Sequence, residues 1–237
     1  MILRKHINIL IAMIMLIAPL GAIGSETYMS GFVQGLYGGG LDKNNPTSSD
    51  YTASETRLQL RLESFSANAE FFGRIDFVYD DYNDPKTELE LREGFTKFKI
   101  GNRFDFKIGR QIITWGTGDL IFINDVFAKD YQSFFTGRDD QYLKAPQNAL
   151  RMELYTGLGT FSAVYTTRFT PNRIPTGESL SYFRPVTGSI VGGEDYYFEG
   201  TMPEAKFENY EIAGRFSRYF GSADIALYAY KGFYKNP

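Results

Sequence analysis

Across its 237 residues the chain has no cysteine, one tryptophan and one histidine. Without cysteine there is no disulfide framework, no thiolate nucleophile and no zinc ribbon. Long apolar runs are also scarce: a mean hydropathy of -0.27 and 22% charged residues exclude a bundle of membrane helices. There is no basic excess either, since the formal net charge is -3, and nothing points to nucleic acid. What the chain has in quantity is glycine (24), tyrosine (17) and phenylalanine (21), a composition suited to many strands joined by turns.

The only long apolar run is at the start. Arg4, Lys5 and His6 precede the apolar stretch Ile9 to Ala18; Pro19 then breaks it, and Ala22-Ile23-Gly24 supplies the small residues a signal peptidase reads. Residues 1–24 are therefore expected to be a cleaved secretory signal; the stretch is shorter than the roughly 20 residues a membrane helix needs. Removing it takes Arg4 and Lys5, so 25 basic residues become 23 against 28 acidic ones, a net charge of -5. It also removes His6, and with it any Ser-His-Asp, Cys-His or histidine-zinc arrangement in the mature chain. No enzyme activity, catalytic residue, cofactor or metal site is expected.

From Ser25 onward apolar and polar residues alternate with a period of two, as in strands with one apolar face. Leu58, Leu60 and Leu62 oppose Arg57, Gln59, Arg61 and Glu63. Ala69, Phe71, Ile75, Phe77 and Tyr79 oppose Glu70, Arg74, Asp76 and Asp80. Phe104, Phe106 and Ile108 alternate with Asp105 and Lys107, and Leu150, Met152 and Leu154 with Arg151 and Glu153. Phe161, Ala163 and Tyr165 follow after a turn; Tyr210, Ile212 and Phe216 alternate with Glu211, Arg215 and Ser217; Ile225, Leu227 and Ala229 close the series, and Tyr28 to Gly38 reads as a weaker first strand. Between Glu88 and Ile100 the parity of the apolar residues changes, so a bulge is expected near Gly94. Arg110 falls on the apolar side, which calls for a second bulge at Gly109 or a height at which its guanidinium reaches water.

These segments are about 9 to 13 residues long, the length of a tilted strand crossing a bilayer rather than of a short soluble strand. Tight turns at Ser66 to Asn68, Gly101-Asn102, Gly157 to Gly159 and Tyr219 to Ala223 alternate with longer connections at Gly39 to Asp50, Asp81 to Thr87, Trp115 to Gln147 and Thr170 to Ala205. Short turns at one rim and long loops at the other are the layout of an outer-membrane barrel. Tyr37, Tyr79, Tyr82, Trp115, Tyr155, Phe169, Tyr219, Phe220, Phe233 and Tyr234, near strand ends, would form interfacial girdles. The expected fold is all-β, an antiparallel up-and-down transmembrane barrel of which residues 25–237 form the N-terminal part, because nine strands do not close an even-numbered barrel. The competing folds are a closed eight-stranded barrel and a secreted β-sandwich binding protein.

One stretch carries a family resemblance. Phe106-Lys107-Ile108-Gly109-Arg110-Gln111, then Ile112-Ile113-Thr114-Trp115-Gly116-Thr117-Gly118 and Phe122-Ile123-Asn124-Asp125-Val126-Phe127, resemble a group of Gram-negative outer-membrane barrels in which a Gly-Arg-Gln...Trp-Gly strand end leads into a long Asn-, Asp- and aromatic-rich loop. That group is similar in character to porins and alginate-export-type channels. The resemblance is clearest over Leu91 to Tyr182. It implies residence in the outer membrane, with membrane lipid and the barrel-assembly machinery as partners; it names no solute, and the small hydrophilic cargo expected of a channel is left unidentified. The later strands, and the C-terminal strand ending in an aromatic residue, are missing relative to that pattern.

If the leucine faces meet lipid, the polar faces line a wet interior, since so many charges in a dry core would cost several kcal/mol each. The candidate lining residues are Arg57, Arg61, Arg74, Arg92, Lys107, Arg151 and Arg215 with Glu63, Glu70, Asp76, Glu90, Asp105, Glu153 and Glu211. Balanced charge of this kind suits modest selectivity, or ion-pair ladders that steady the wall. The loop from Trp115 to Gln147 is the candidate constriction, with Asp119, Asn124, Asp125, Lys129, Asp130, Arg138, Asp139 and Asp140 among large aromatics that an exposed loop would rarely carry. It is expected to fold into the lumen, its aromatics Phe122, Phe127, Tyr131, Phe134, Phe135 and Tyr142 packed on the inner wall and its charges narrowing the pore, with an external cap as the alternative. Function then divides between a channel for passive diffusion or export and a structural or adhesive barrel.

Overall fold

The computed structural model describes residues 26–41, 47, 51–81, 85–116, 125–175, 180–192, 202–204 and 206–235. The expected signal segment, Asp119, Asn124, Phe122 and Tyr82 lie outside them. The chain is all-β, and its main feature is a nine-stranded antiparallel meander. Its strands are β1 (Glu26–Gly39), β2 (Tyr51–Phe65), β3 (Ala69–Asp80), β4 (Thr87–Ile100), β5 (Phe104–Gln111), β6 (Gln147–Thr156), β7 (Gly159–Thr166), β10 (Glu211–Phe220) and β11 (Ala223–Lys231). Each pairs with the next in this series. The sheet is open: β1 and β11 are its edges, and no ladder joins them among the described residues.

All nine expected strands are present, and all four tight turns join neighbouring strands of the sheet. The long connections hold elements the alternation did not announce. Between β7 and β10 lies a small hairpin of β8 (Tyr182–Arg184) and β9 (Ser189–Val191). Between β5 and β6 lie a short helix α1 (Tyr131–Thr136) and a 3-10 turn (Asp140–Tyr142). Asp130 caps α1 through a bond from the Ser133 amide, and Gly137 ends it in the left-handed region at φ 74°.

The parity change in β4 is resolved two residues before Gly94. Arg74 pairs with Glu93 and Ile75 with Leu91, so Arg92 is the extra residue of a bulge. Leu89 and Leu91 then share a face with Thr96, Phe98 and Ile100, opposite Glu90, Glu93 and Lys97. At Gly109 no second bulge forms: both ladders of β5 run in step through it. Gly109 is instead a close approach at φ 130°, where a Cβ would lie 2.3 Å from the Gly94 carbonyl oxygen. Arg110, half-buried on the apolar face, donates from Nε to the Leu91 carbonyl oxygen at 2.6 Å, beside the bulge.

Burial is inverted relative to a soluble sheet. On the polar face Asp76 is 0% and Arg92 1% exposed, with Glu55, Arg57, Gln59, Asp80 and Glu211 also buried; on the apolar face Met29 is 78% and Leu227 65% exposed, with Val33, Leu58, Leu60, Ile108 and Phe161 open as well. Over β2 to β4 the covering of the polar face comes mainly from the β5–β6 connection, whereas Glu211 is covered by Tyr230 and Lys235. One end of the sheet is taller: β1 to β4 have 12 to 15 residues, whereas β5 to β7, β10 and β11 have 8 to 10.

Candidate functional site

Directly paired residues of neighbouring strands lie on one face, so the register places thirteen of the fourteen candidate lining residues together, and Arg92, the unpaired residue of the bulge, joins them through its contacts with Tyr142, Gln141 and Lys144. They divide into two groups: those under the β5–β6 connection and those nearer the tight turns.

The covered group centres on Tyr142. Its hydroxyl accepts from Gln59 Nε2 at 2.9 Å, and its ring lies beneath the guanidiniums of Arg57 (4.2 Å) and Arg92 (5.0 Å). Arg57 meets Asp76 at 2.5 Å and Glu55 at 2.8 Å; Gln59 also donates to Asp76 at 2.9 Å. Arg74 binds Glu93 at 3.0 Å and the Gln141 side chain at 2.9 Å. Arg92 reaches Glu90 at 3.4 Å and donates to the carbonyls of Gln141 and Lys144. Arg138 docks on Glu55 at 2.5 Å and Asp80 at 3.2 Å. Burial and the nearby Asp76 carboxylate push the Tyr142 hydroxyl up to about 12, so it stays neutral at ordinary pH.

The remaining loop candidates mostly shape the loop itself. Asp125 holds Lys129 at 2.5 Å and accepts from Thr114 Oγ1 at 2.7 Å. Burial lowers the Lys129 ammonium from its ordinary value, against the pull of Asp125. Asp130 binds Arg173 at 3.2 Å as well as capping α1. Asp139 caps the 3-10 turn that Asp140 begins. The adjacent acids Asp80 and Asp81 diverge: Asp80 faces Arg138, while Asp81 bonds Ser54, Tyr79 and Lys86 in the open. Those bonds, Lys86 first, hold the Asp81 carboxyl down at about 2.

Nearer the tight turns the same face is more open. Arg61 pairs with Glu63 over the Phe72 ring, Glu70 with Lys97 at 3.6 Å, and Arg151 with Glu153 at 2.6 Å. Asp105 accepts from the Tyr155 hydroxyl at 3.3 Å, and Arg215 lies 3.9 Å from Asp224. Lys107 sits on the Phe95 ring at 3.6 Å. Glu211, at the other end of the face, is buried beneath Tyr230 (2.5 Å) and Lys235 (2.7 Å).

Three of the expected aromatic placements in the loop differ. Trp115 does not belong to an interfacial girdle: it is 6% exposed in a cluster with Ile113, Phe127, Ala149, Val164 and Ala213, because the chain turns from β5 onto the polar face of the sheet. Phe134 and Phe135 are not packed on the wall; they stand exposed against each other at 5.3 Å. Phe169 and Phe233, two more girdle candidates, are half-buried against each other. Sequence reading also passed over Glu55, Glu93 and Arg173. Glu55 shares the parity of Arg57 and was legible; Glu93 was hidden by the bulge. Arg173, which joins Glu90 at 2.6 Å to Asp130, lies in a loop with no periodic signal. Burial opposes the charge of Arg173, yet Glu90 and Asp130 outweigh it and keep its pKa above the ordinary value.

No helix among the described residues is long and apolar enough to cross a membrane, which leaves strand-crossing open. No group of three or more His, Asp or Glu able to hold a metal occurs among the described residues. No family model matches the chain, and no curated protein matches it.

Proposed function

We propose that this chain forms the wall of an outer-membrane β-barrel that works as a porin-like channel for passive diffusion or export of small hydrophilic solutes. The described part of the β5–β6 connection, residues 112–116 and 125–146, narrows the passage from inside, and the Gly109-Arg110-Gln111 to Trp115-Gly116 resemblance points the same way. The observation that carries the reading is the inverted burial: leucine, valine and phenylalanine stand open on one face while arginines and carboxylates are covered on the other. Water disfavours that arrangement by about 25 cal/mol for each Å² of apolar surface left exposed, whereas lipid on the apolar side removes the penalty. The partners this implies are membrane lipid and the machinery that inserts barrels.

The test is to reconstitute the full-length protein in planar lipid bilayers. Discrete conductance steps are expected, and deletion of Asp119 to Asp140 should raise them. A chain that folds in buffer without detergent and conducts nothing would overturn the reading in favour of a secreted sandwich. The thorough ion pairing around Tyr142 favours a structural barrel as the second reading; that reading predicts membrane insertion without conductance, with or without the loop.

A further inference from the structure

The register exposes an imbalance that the overall charge tally conceals. On the polar face Lys97 of β4 pairs directly with Lys107 of β5, and Lys107 pairs directly with Arg151 of β6. Three cations thus stand side by side across three strands, where like charges directly opposite are destabilising. The outer two have carboxylates, Glu70 for Lys97 and Glu153 for Arg151. In the adjoining row of the same face Asp105 pairs directly with Glu153, but Glu153 is held by Arg151 and Asp105 by the Tyr155 hydroxyl at 3.3 Å, while Glu93, two rows the other way, is taken by Arg74 at 3.0 Å and by the Ile112 amide at 2.9 Å.

Lys107, in the middle, has no carboxylate within 4 Å among the described residues. Its ammonium rests on the Phe95 ring at 3.6 Å, a contact that attracts the cation but supplies no counter-charge. The row also lies clear of the Tyr142 network: Lys97 and Arg151 keep 42% and 31% of their side chains exposed.

We propose that Lys107, flanked by Lys97 and Arg151, is a binding step for a compact oxyanion, a carboxylate or phosphate group on the passing solute. The inference rests on the channel reading and narrows it to anionic cargo. An oxyanion accepts from several ammonium or guanidinium donors at once and relieves their mutual repulsion. The phenyl ring beneath holds Lys107 upright without neutralising it, and the carboxylates beside the outer cations keep attraction moderate, as passage requires.

The experiment measures single-channel conductance of the full-length protein in planar bilayers with inorganic phosphate added, alongside the reversal potential in a KCl gradient. Phosphate should reduce the current, and Lys107→Gln should raise the half-blocking concentration about tenfold, the effect of one charge-assisted contact worth about 1.4 kcal/mol. The same variant should shift the reversal potential toward cations, while Lys107→Arg retains block and Lys86→Gln, which removes a charge from an exposed turn, behaves as the parent. Conducting pores with unchanged block in Lys107→Gln, or an equal change in Lys86→Gln, overturn the site and leave the channel standing. If no pores form, the channel reading fails, and phosphate titration in micelles, followed by the phosphorus resonance of the phosphate, decides the site: saturable binding lost in Lys107→Gln supports it, and absence of binding, or equal binding in both chains, overturns it.

Discussion

The β5–β6 connection is held to the sheet in two chemically opposite ways. Over β2 to β4 its hold is polar: Arg138, Gln141 and Tyr142 sit among Glu55, Arg57, Asp76 and Arg92. Over β6, β7 and β10 it is apolar: Ile113, Trp115 and Phe127 rest on Ala149, Val164 and Ala213. The wall directly beneath the connection differs in step, charged over the tall strands and small or aliphatic at Ala149, Val164 and Ala213 of the short ones. The apolar contact is tolerant of shape and gains from area alone, whereas the polar one depends on every charge meeting its partner. The loop is therefore placed by its charged end and held down by its apolar end.

The largest blow should fall on the polar side. Replacing Asp76 with Ala leaves Arg57 and Gln59 buried without their shared acceptor, and a loss of about 3 to 5 kcal/mol is expected in urea unfolding from lipid vesicles. A loss no greater than 1 kcal/mol would mean that the charged zone is already wet and the two zones are not different in kind. On the apolar side, Trp115→Ala should remove about 3 kcal/mol by the same measurement, through lost area and a residual cavity. Because the two zones share no partner, combining the changes should give nearly additive losses; strong non-additivity would merge them into one contact.

A smaller change sharpens the polar side. Tyr142→Phe keeps the ring beneath Arg57 and Arg92 and removes only one acceptor of Gln59, which keeps Asp76, so about 1 kcal/mol is expected. The smallest effect concerns the same chemistry outside both zones. Asp81, exposed beside Lys86, has a folded-state pKa of about 2, below the ordinary 3.8. Its contribution is complete above the ordinary value and disappears as pH falls through about 2. A carboxyl titration by NMR should show that midpoint in the parent and an upward move in Lys86→Ala, with little change in stability.

Much of the sheet was legible because a two-residue period survives any change in tertiary surroundings. Leu58, Leu60 and Leu62 announce a face regardless of what covers the other side. The docking of the loop was less legible, since it depends on pairs such as Gln59 with Tyr142, 83 positions apart, that no local pattern connects. Trp115 shows the limit: beside a strand end it reads as an interfacial aromatic, and only the inward turn of the chain after Gln111 places it in a buried cluster. Phe134 and Phe135 show the converse, rings read as wall contacts that face away from it.

The bulge in β4 has a consequence in terms of gain and loss of residues. Without Arg92 the strand would alternate perfectly, Glu88, Glu90 and Glu93 on one side and Leu89, Leu91 and Gly94 on the other. The sheet needs one residue fewer than it has. The surplus one is the residue that grips Tyr142, Gln141 and Lys144, and the irregularity it creates is met by Arg110 at the Leu91 carbonyl. Deleting Arg92 would thus regularise the wall while releasing the loop, so that at this position a shorter chain makes a better sheet and a looser passage.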